Sequence, residues 1–296
     1  MPSSFPWHSM SGNLYTPFPF SVTPASPLFE LSPISLNPNQ GWAPSCFTPE
    51  CVPTASWSTS SIGATLSFPF WGWDVALDGS IKGNMSIELL RDGKKAPWHP
   101  STDTLFHFRG ETTDGFYLHN ITLKVLDSSP DGEFTVSQVR VNGSTTSSNL
   151  NFYENIWTIF SNDEKLVYSG FSERANINQP EPHITYISSS AGDTVVMQFN
   201  ASGFLVYGPC GPTNGLMKIT VDDRESTVNT SKSIASNDCL LFQSRGLSIG
   251  TMQELLIENI SNATLGCGNF TAGLVRGRNN LGGFNGFLEA VTSGED

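Results

Sequence analysis

The sequence predicts an all-β protein built from two tandem jelly-roll β-sandwiches, and three observations lead there. Apolar residues alternate over short spans bounded by Gly, Pro, Asn or Asp, as in Phe134-Thr135-Val136-Ser137-Gln138-Val139-Arg140-Val141. Such a span buries one face and leaves the other wet. The spans recur at roughly ten-residue intervals with almost no helical periodicity between them, the spacing of a sandwich or jelly roll. Several also repeat in order along the chain: Gly63 to Phe70 aligns with Gly192 to Phe199, and Val75 to Gly79 with Phe204 to Gly208. Met85 to Gly93 then matches Leu216 to Asp223, Leu105-Phe106 matches Leu241-Phe242, and His119 to Leu123 matches Gln253 to Ile257. Matching segments in one order argue for duplication.

Taken in chain order, residues 1–27 are rich in Pro, Ser and aromatic residues without periodicity, and are expected to form a poorly ordered arm. The first sandwich is placed at 28–146 and the second at 150–294. Met85 to Leu89 and Leu216 to Val221 read as strands ending in the turn formers Asp92-Gly93 and Asp222-Asp223. Residues 144–149 are Ser, Thr and Asn only, the composition of a linker. Phe152, Tyr153, Ile156, Trp157, Ile159 and Phe160 then fit one helical stripe, expected to wedge between the sandwiches. Phe134 to Val141 and Phe287 to Thr292 are expected to be the closing strands of the two halves.

The chain has 296 residues, with 38% hydrophobic and only 14% charged, against about 25% charged in an average soluble protein. Ser and Thr number 63, so the surface is hydroxyl-rich and charge-poor. A net charge of −12 argues against nucleic acid as a partner. The most hydrophobic window, Ala64 to Leu77, is broken by Pro69 and Asp74, so no membrane span is expected.

Two features point to an extracellular or cell-surface location. Asn-x-Ser/Thr sites occur at Asn84, Asn120, Asn142, Asn200, Asn229, Asn259, Asn262 and Asn269, a modest excess over the roughly five that chance gives. All eight are candidate glycosylation sites. Cys46 and Cys51 read as a loop-closing disulfide rather than a free pair or a metal site. Cys210 and Cys239 follow and precede strands that could meet, so they are expected to pair, with Cys210 to Cys267 as the rival and Cys267 as the odd thiol. Met1 to Phe20 has four prolines and no basic segment leading into an apolar run, so a signal sequence is expected to lie outside these residues.

Signatures for catalysis are sparse. There is no Gly-x-Ser-x-Gly, no dinucleotide or phosphate-loop pattern, and no His or Cys spacing that suits zinc. No metal or cofactor is therefore expected. The run Gly277 to Gly283 reads as a long loop. Asp92 and Asp222-Asp223 read as turn residues in preference to a pair of catalytic acids. Trp98-His99, with Arg91 and Asp92 nearby, is the leading candidate for a sugar-binding loop, with loop anchoring as the equal alternative. Trp71 and Trp73 point to one face if they lie on a strand; core packing is favoured there over a sugar platform. His107 and His119 read as partly buried, hydrogen-bonded imidazoles.

One resemblance bears on these residues. A Trp- and Cys-containing leader is followed by Ala-Thr-Leu-Ser-Phe or Thr-Val-Val-Met-Gln-Phe, then Phe204-Leu205-Val206-Tyr207-Gly208, Val221-Asp222-Asp223, Leu240-Leu241-Phe242 and Phe287 to Val291. This pattern resembles the tandem galactose-binding-like ectodomains of uncharacterised cell-surface proteins from mushroom-forming fungi. It covers residues 28–293, and Asp78 stands where the second repeat has Tyr207, a candidate ligand contact. The resemblance implies a jelly roll on a cell surface or in secreted material, and supplies no catalytic residues. The expected function is a non-enzymatic binding or adhesion module for glycans or cell-wall polysaccharide. The alternatives are a glycosylated structural ectodomain without a small ligand, and a glycan-active β-sandwich enzyme, which needs opposed acids that the sequence does not display.

Overall fold

The computed structural model describes residues 19–72, 74–108, 117–141, 153–175, 184–201, 203–244, 247 and 251–276. All regular structure among them is β except one short 3₁₀ turn at Val52–Thr54. The first half carries β1 (Phe20–Val22), β2 (Glu30–Ser32), β3 (Ala43–Pro44), β4 (Trp57–Thr59), β5 (Thr65–Gly72), β6 (Val75–Lys82), β7 (Met85–Arg91), β8 (Lys94–Lys95), β9 (Thr104–Phe108), β10 (Tyr117–Ser128) and β11 (Glu133–Val141). Their antiparallel pairings give two sheets, one ordered β2-β5-β10-β7-β8 and the other β3-β4-β11-β6-β9, with β1 also on β11. Leu66, Phe68 and Phe70 from the first sheet share a core with Val75, Leu77, Phe134 and Val136 from the second. The alternation that marks these strands in the sequence is the alternation that fills the space between two sheets.

The second half carries β12 (Tyr153–Ile159), β13 (Val167–Ser169), β14 (Ser172–Ala175), β15 (Ile184–Ser188), β16 (Thr194–Phe199), β17 (Gly203–Cys210), β18 (Leu216–Val221), β19 (Arg224–Asn229), β20 (Ser236–Gln243), β21 (Gln253–Asn259), β22 (Leu265–Cys267) and β23 (Phe270–Arg276). Its sheets run β13-β16-β21-β18-β19, β12-β23-β17-β20 and β14-β15-β22. The first has the strand order of β2-β5-β10-β7-β8, and the second that of β1-β11-β6-β9. The third corresponds to β3-β4-β11, because β22 and β23 stand where β11 runs unbroken.

Local detail repeats as well. Leu77-Asp78 faces Phe106 and Thr104 with Leu105 as an extra residue, and Val206-Tyr207 faces Phe242 and Leu240 with Leu241 extra. Both extra leucines have no accessible surface. Each bulge turns a leucine into the core and sets an unlike pair of outward side chains opposite each other. Gly79 and Gly208 follow the bulged positions because a Cβ there would lie 2.0 Å from the Thr135 carbonyl oxygen and 2.5 Å from that of Gly266.

Three expectations change. Residues 20–27 are not a loose arm: β1 pairs with β11, and Ala25 and Ser26 are buried. Residues 153–159 form a strand against β23 instead of a helix, since pairing across a sheet edge decides where a short aromatic stretch fits both periods. Phe270–Arg276 takes the position of β11 in the second half; residues 287–292, like 1–18, 144–149 and the loop 277–283, lie outside the described residues.

The wedge between the halves is accordingly a different surface. Leu205 and Leu240 project from β17 and β20 into the first half's core, and Tyr207 and Ile234 pack against it. Ser26 Oγ donates to the Leu240 carbonyl, Asn237 N to Pro49 O at 3.1 Å, and Lys232 Nζ to Phe29 O. Gln243 Nε2 donates to Trp71 O at 2.7 Å while its Oε1 accepts from Trp71 N at 3.2 Å. The amide thereby completes the edge of β5 beyond the residues that β2 covers. Both disulfides border this surface. Cys46–Cys51 closes the loop that presents Pro49, and Cys210–Cys239 places both sulfurs 3.4 Å from the Ala25 carbonyl oxygen. Disulfide sulfurs carry no proton, so that contact is van der Waals packing rather than a hydrogen bond. Cys267 remains a fully buried thiol, its pKa pushed up to about 12 by burial.

Truncating Leu240 to Ala is expected to cost about 2–4 kcal/mol and to separate the melting of the two halves, measured as one calorimetric transition becoming two. Burial holds the Lys232 ammonium down at about 8, against its ordinary 10.5, despite the nearby Glu30. The docked state therefore favours the neutral amine, its penalty is complete below pH 8, and stability rises as pH climbs toward 10.5. In urea denaturation, the stability of the native chain relative to Lys232→Met should rise between about pH 8 and about pH 10.

Candidate functional site

The bulge that buries Leu105 leaves Asp78 and Thr104 side by side on the outward face of β6 and β9. β11 supplies the rest of that face. Its own bulge sets Gln138 opposite Asp78 and Thr135 opposite Ser80, with Ser137 as the extra residue. A depression of about 480 Å³ results, lined by Asp78, Ser80, Asp103, Thr104, Thr135, Ser137 and Arg140 around Gly79. Every side chain that lines it carries a hydroxyl or a charge.

Its centre is a bidentate ion pair. Arg140 Nε and Nη2 donate to the two Asp78 oxygens at 2.7 and 2.9 Å, Gln138 Nε2 adds 3.1 Å and Thr104 Oγ1 3.5 Å. Burial pushes the Asp78 carboxyl up, but these hydrogen bonds and the guanidinium charge outweigh it and hold the group below its ordinary value of 3.8. Arg140 is raised in turn, first by its bond to Asp78. A carboxylate so engaged stays ionised and orients Arg140; it is poorly suited to act as a general acid. With Asp103 also in the lining, two carboxylates accompany one guanidinium, so the depression carries a formal charge of −1 and disfavours anions.

The residues singled out in the sequence lie elsewhere. Trp98 is half-buried and meets Phe134 edge to face at 6.1 Å, anchoring its loop on the core, while His99 beside it is exposed. Arg91 stacks over Phe108 with Cζ 3.2 Å from the ring centroid. Asp92 and Asp222 both adopt φ of 51°, and their Oδ1 atoms accept from Asn120 N at 2.8 Å and Glu254 N at 3.1 Å. They are matching left-handed turn caps. Asp92 Oδ2 also holds Nδ1 of the buried His119 at 2.9 Å, whereas His107 is exposed. Trp71 sits on the outward face of β5, not in the core, because Leu66, Phe68 and Phe70 take the inward positions. Trp73 lies outside the described residues. Tyr207 is half-buried between the halves, its hydroxyl pushed up to about 12 by burial and, to a lesser extent, by Asp238.

Of the candidate glycosylation sites, Asn84, Asn120, Asn200, Asn229 and Asn262 are exposed, Asn269 is half-buried, and Asn142 lies outside the described residues. Asn259 is a correction. It has no accessible surface, and its amide donates to Ser188 Oγ and the Ala263 carbonyl at 3.0 Å each. Among the described residues, no cluster of three or more His, Cys, Asp or Glu side chains could hold a metal ion, and no helix is long and apolar enough to cross a membrane.

Asp78 and Arg140 belong to no recognised motif spacing, so the sequence alone does not bring them together. The available signal was a charged pair within alternating strands of a charge-poor chain, at the position where the other half has Tyr207.

No family model matches the chain, and no curated protein matches it. Among solved structures, the chain is similar to a xanthan lyase from Paenibacillus at 12% identity and a TM-score of 0.32. That match covers 79% of this chain and 26% of the lyase, so the chain spans about a quarter of the lyase's length. A conserved protein of unknown function from Pseudomonas aeruginosa matches at 10% identity and a TM-score of 0.21, over 76% of this chain and 92% of that one.

Replacing Asp78 with Asn removes the hydrogen-bonded charge partner of Arg140, leaving only the weaker influence of Asp74, and is expected to cost about 1–2 kcal/mol at neutral pH, discounted for partial exposure. A carboxyl held low stabilises above its unfolded pKa and loses that contribution as pH falls through its folded value. The gap between the native chain and Asp78→Asn should therefore close in acid, below 3.8, as followed by urea denaturation across pH.

Proposed function

We propose that the chain is an extracellular, non-enzymatic binding module made of two tandem jelly-roll domains, and that its first domain binds a neutral glycan across the outward face of β6, β9 and β11. One observation carries the reading. The same bulged face occurs in both halves; in the second it bears Leu205, Tyr207 and Leu240 and is covered by protein, and in the first it bears Asp78, Thr104 and Arg140 around an open depression. The face that carries apolar side chains for contact in one copy carries hydroxyls and a fixed ion pair in the other, which suits polyhydroxylated ligands in place of protein. Two disulfides fit an oxidising compartment, and the hydroxyl-rich composition fits a cell-wall or cell-surface setting.

Titration calorimetry against a panel of neutral and anionic oligosaccharides tests this. Binding of a neutral sugar is expected, weakened at least tenfold, or about 1.4 kcal/mol, by Ser80→Tyr, which fills the depression from an outward position without touching the core. The thermal midpoint should be unchanged in that variant. Silence across the panel, or binding indifferent to Ser80→Tyr, favours the structural-ectodomain alternative.

A further inference from the structure

The opposite face of the first half, outside the sheet β2-β5-β10-β7-β8, carries a strip of apolar side chains that are half-buried or exposed. Leu118 is 50% exposed and pairs with the half-buried Trp71; the next outward pair along the same two strands is Asn120 and Pro69. Paired residues share a face, and residues two apart lie on the same side, so these four are immediate neighbours. Asn120 opens the sequence Asn120-Ile121-Thr122 and is exposed. Its backbone is locked, N donating to Asp92 Oδ1 at 2.8 Å and O accepting from Asp92 N at 2.8 Å. Ser67 Oγ donates to its side-chain Oδ1 at 2.9 Å, which aims the amide nitrogen, the atom that accepts a glycan, away from Ser67.

We propose that Asn120 carries an N-linked glycan whose first N-acetylhexosamine lies on the strip formed by Trp71, Leu118 and Pro69, and that Asn259 carries none. The covering sugar is matched to what it covers, because the C–H face of a pyranose packs on an indole as other apolar groups do. The second half repeats the device with different residues. Asn200 directly follows β16 at the position equivalent to Trp71, and the 65%-exposed Met252 directly precedes the Gln253–Phe199 pair. Asn259, by contrast, spends both amide hydrogens within the fold. In the transfer, the Asn120 amide nitrogen bonds to the anomeric carbon of a lipid-pyrophosphate-linked oligosaccharide. The carbon–oxygen bond to pyrophosphate breaks, the lipid pyrophosphate leaves with the bonding electrons, and the amide proton passes to solvent.

This inference rests on the extracellular setting proposed above, and the test separates the two. The full chain is secreted from a eukaryotic host and treated with a peptide N-glycanase in oxygen-18 water, which hydrolyses each glycosylated Asn side chain to Asp carrying the heavy oxygen for peptide mapping. Label at Asn120 and none at Asn259 is expected. Label at other sites with Asn120 unmodified overturns this inference alone; no label anywhere overturns both it and the setting. Thr122→Ala, which abolishes the acceptor sequence but keeps Asn120 and its hydrogen bonds, should lower the thermal midpoint by about 2 °C. That loss should vanish in a Trp71→Ala background, with Leu118→Ser as a second background should Trp71→Ala fail to fold. An equal loss in the native and substituted backgrounds refutes the seating on the strip.

Discussion

The arrangement of the molecule depends on covering one apolar face. Without the first half, β17 and β20 would present Leu205, Tyr207 and Leu240 to water, and each such side chain is worth about 1.5–3 kcal/mol when buried. Covering them fixes where the 23–53 segment runs, and that segment has little regular structure of its own. The second half ties it down at three points: the Leu240 carbonyl accepts from Ser26 Oγ, and Asn237 N and Lys232 Nζ donate to the Pro49 and Phe29 carbonyls. Cys46–Cys51 keeps the segment's tightest loop in shape. The two halves are thereby parts of one packed body, and the depression at Asp78 is held in fixed relation to the second half.

Comparing the halves separates what the fold requires from what a site requires. Both retain the bulge, its inward leucine, the glycine beneath a carbonyl oxygen, and the left-handed aspartate that caps a neighbouring strand. These are backbone solutions, and exchanging any of them alters strand register. The outward residues beside them are free of that constraint and differ, Tyr207 and Leu240 in the second half against Asp78 and Thr104 in the first.

The alternating strands were legible in the sequence because a two-residue period with bounding turn formers has few other readings. The pairing of His119 to Leu123 with Gln253 to Ile257 was legible too, down to the register, since Leu123 faces Leu89 as Ile257 faces Ile219. Residues 153–159 were misread because aromatic spacings over one or two turns satisfy both helix and strand. The site itself was hidden for a physical reason. Asp78 and Arg140 are 62 residues apart, and cross-strand neighbours separated by a whole sandwich face leave no local spacing to detect. Trp98 drew attention by chemistry alone, and its contact with Phe134 shows that a ring in a loop can serve the core as readily as a ligand.

The surface joining the halves pairs two unlike patches, the outer face of one unit with the loop side of another. Such a contact has no two-fold axis, and repeated between equivalent units it builds a ring where its rotation closes and a filament where it does not. The first half alters it. Where a preceding unit would need Leu and Tyr to dock upon, it offers a solvated ion pair ringed by hydroxyls, and a growing apolar partner would have to strip water from both charges with nothing to replace it. Asp78 and Arg140 thus make the outward face of the first half a poor seat for the kind of apolar contact that joins the halves.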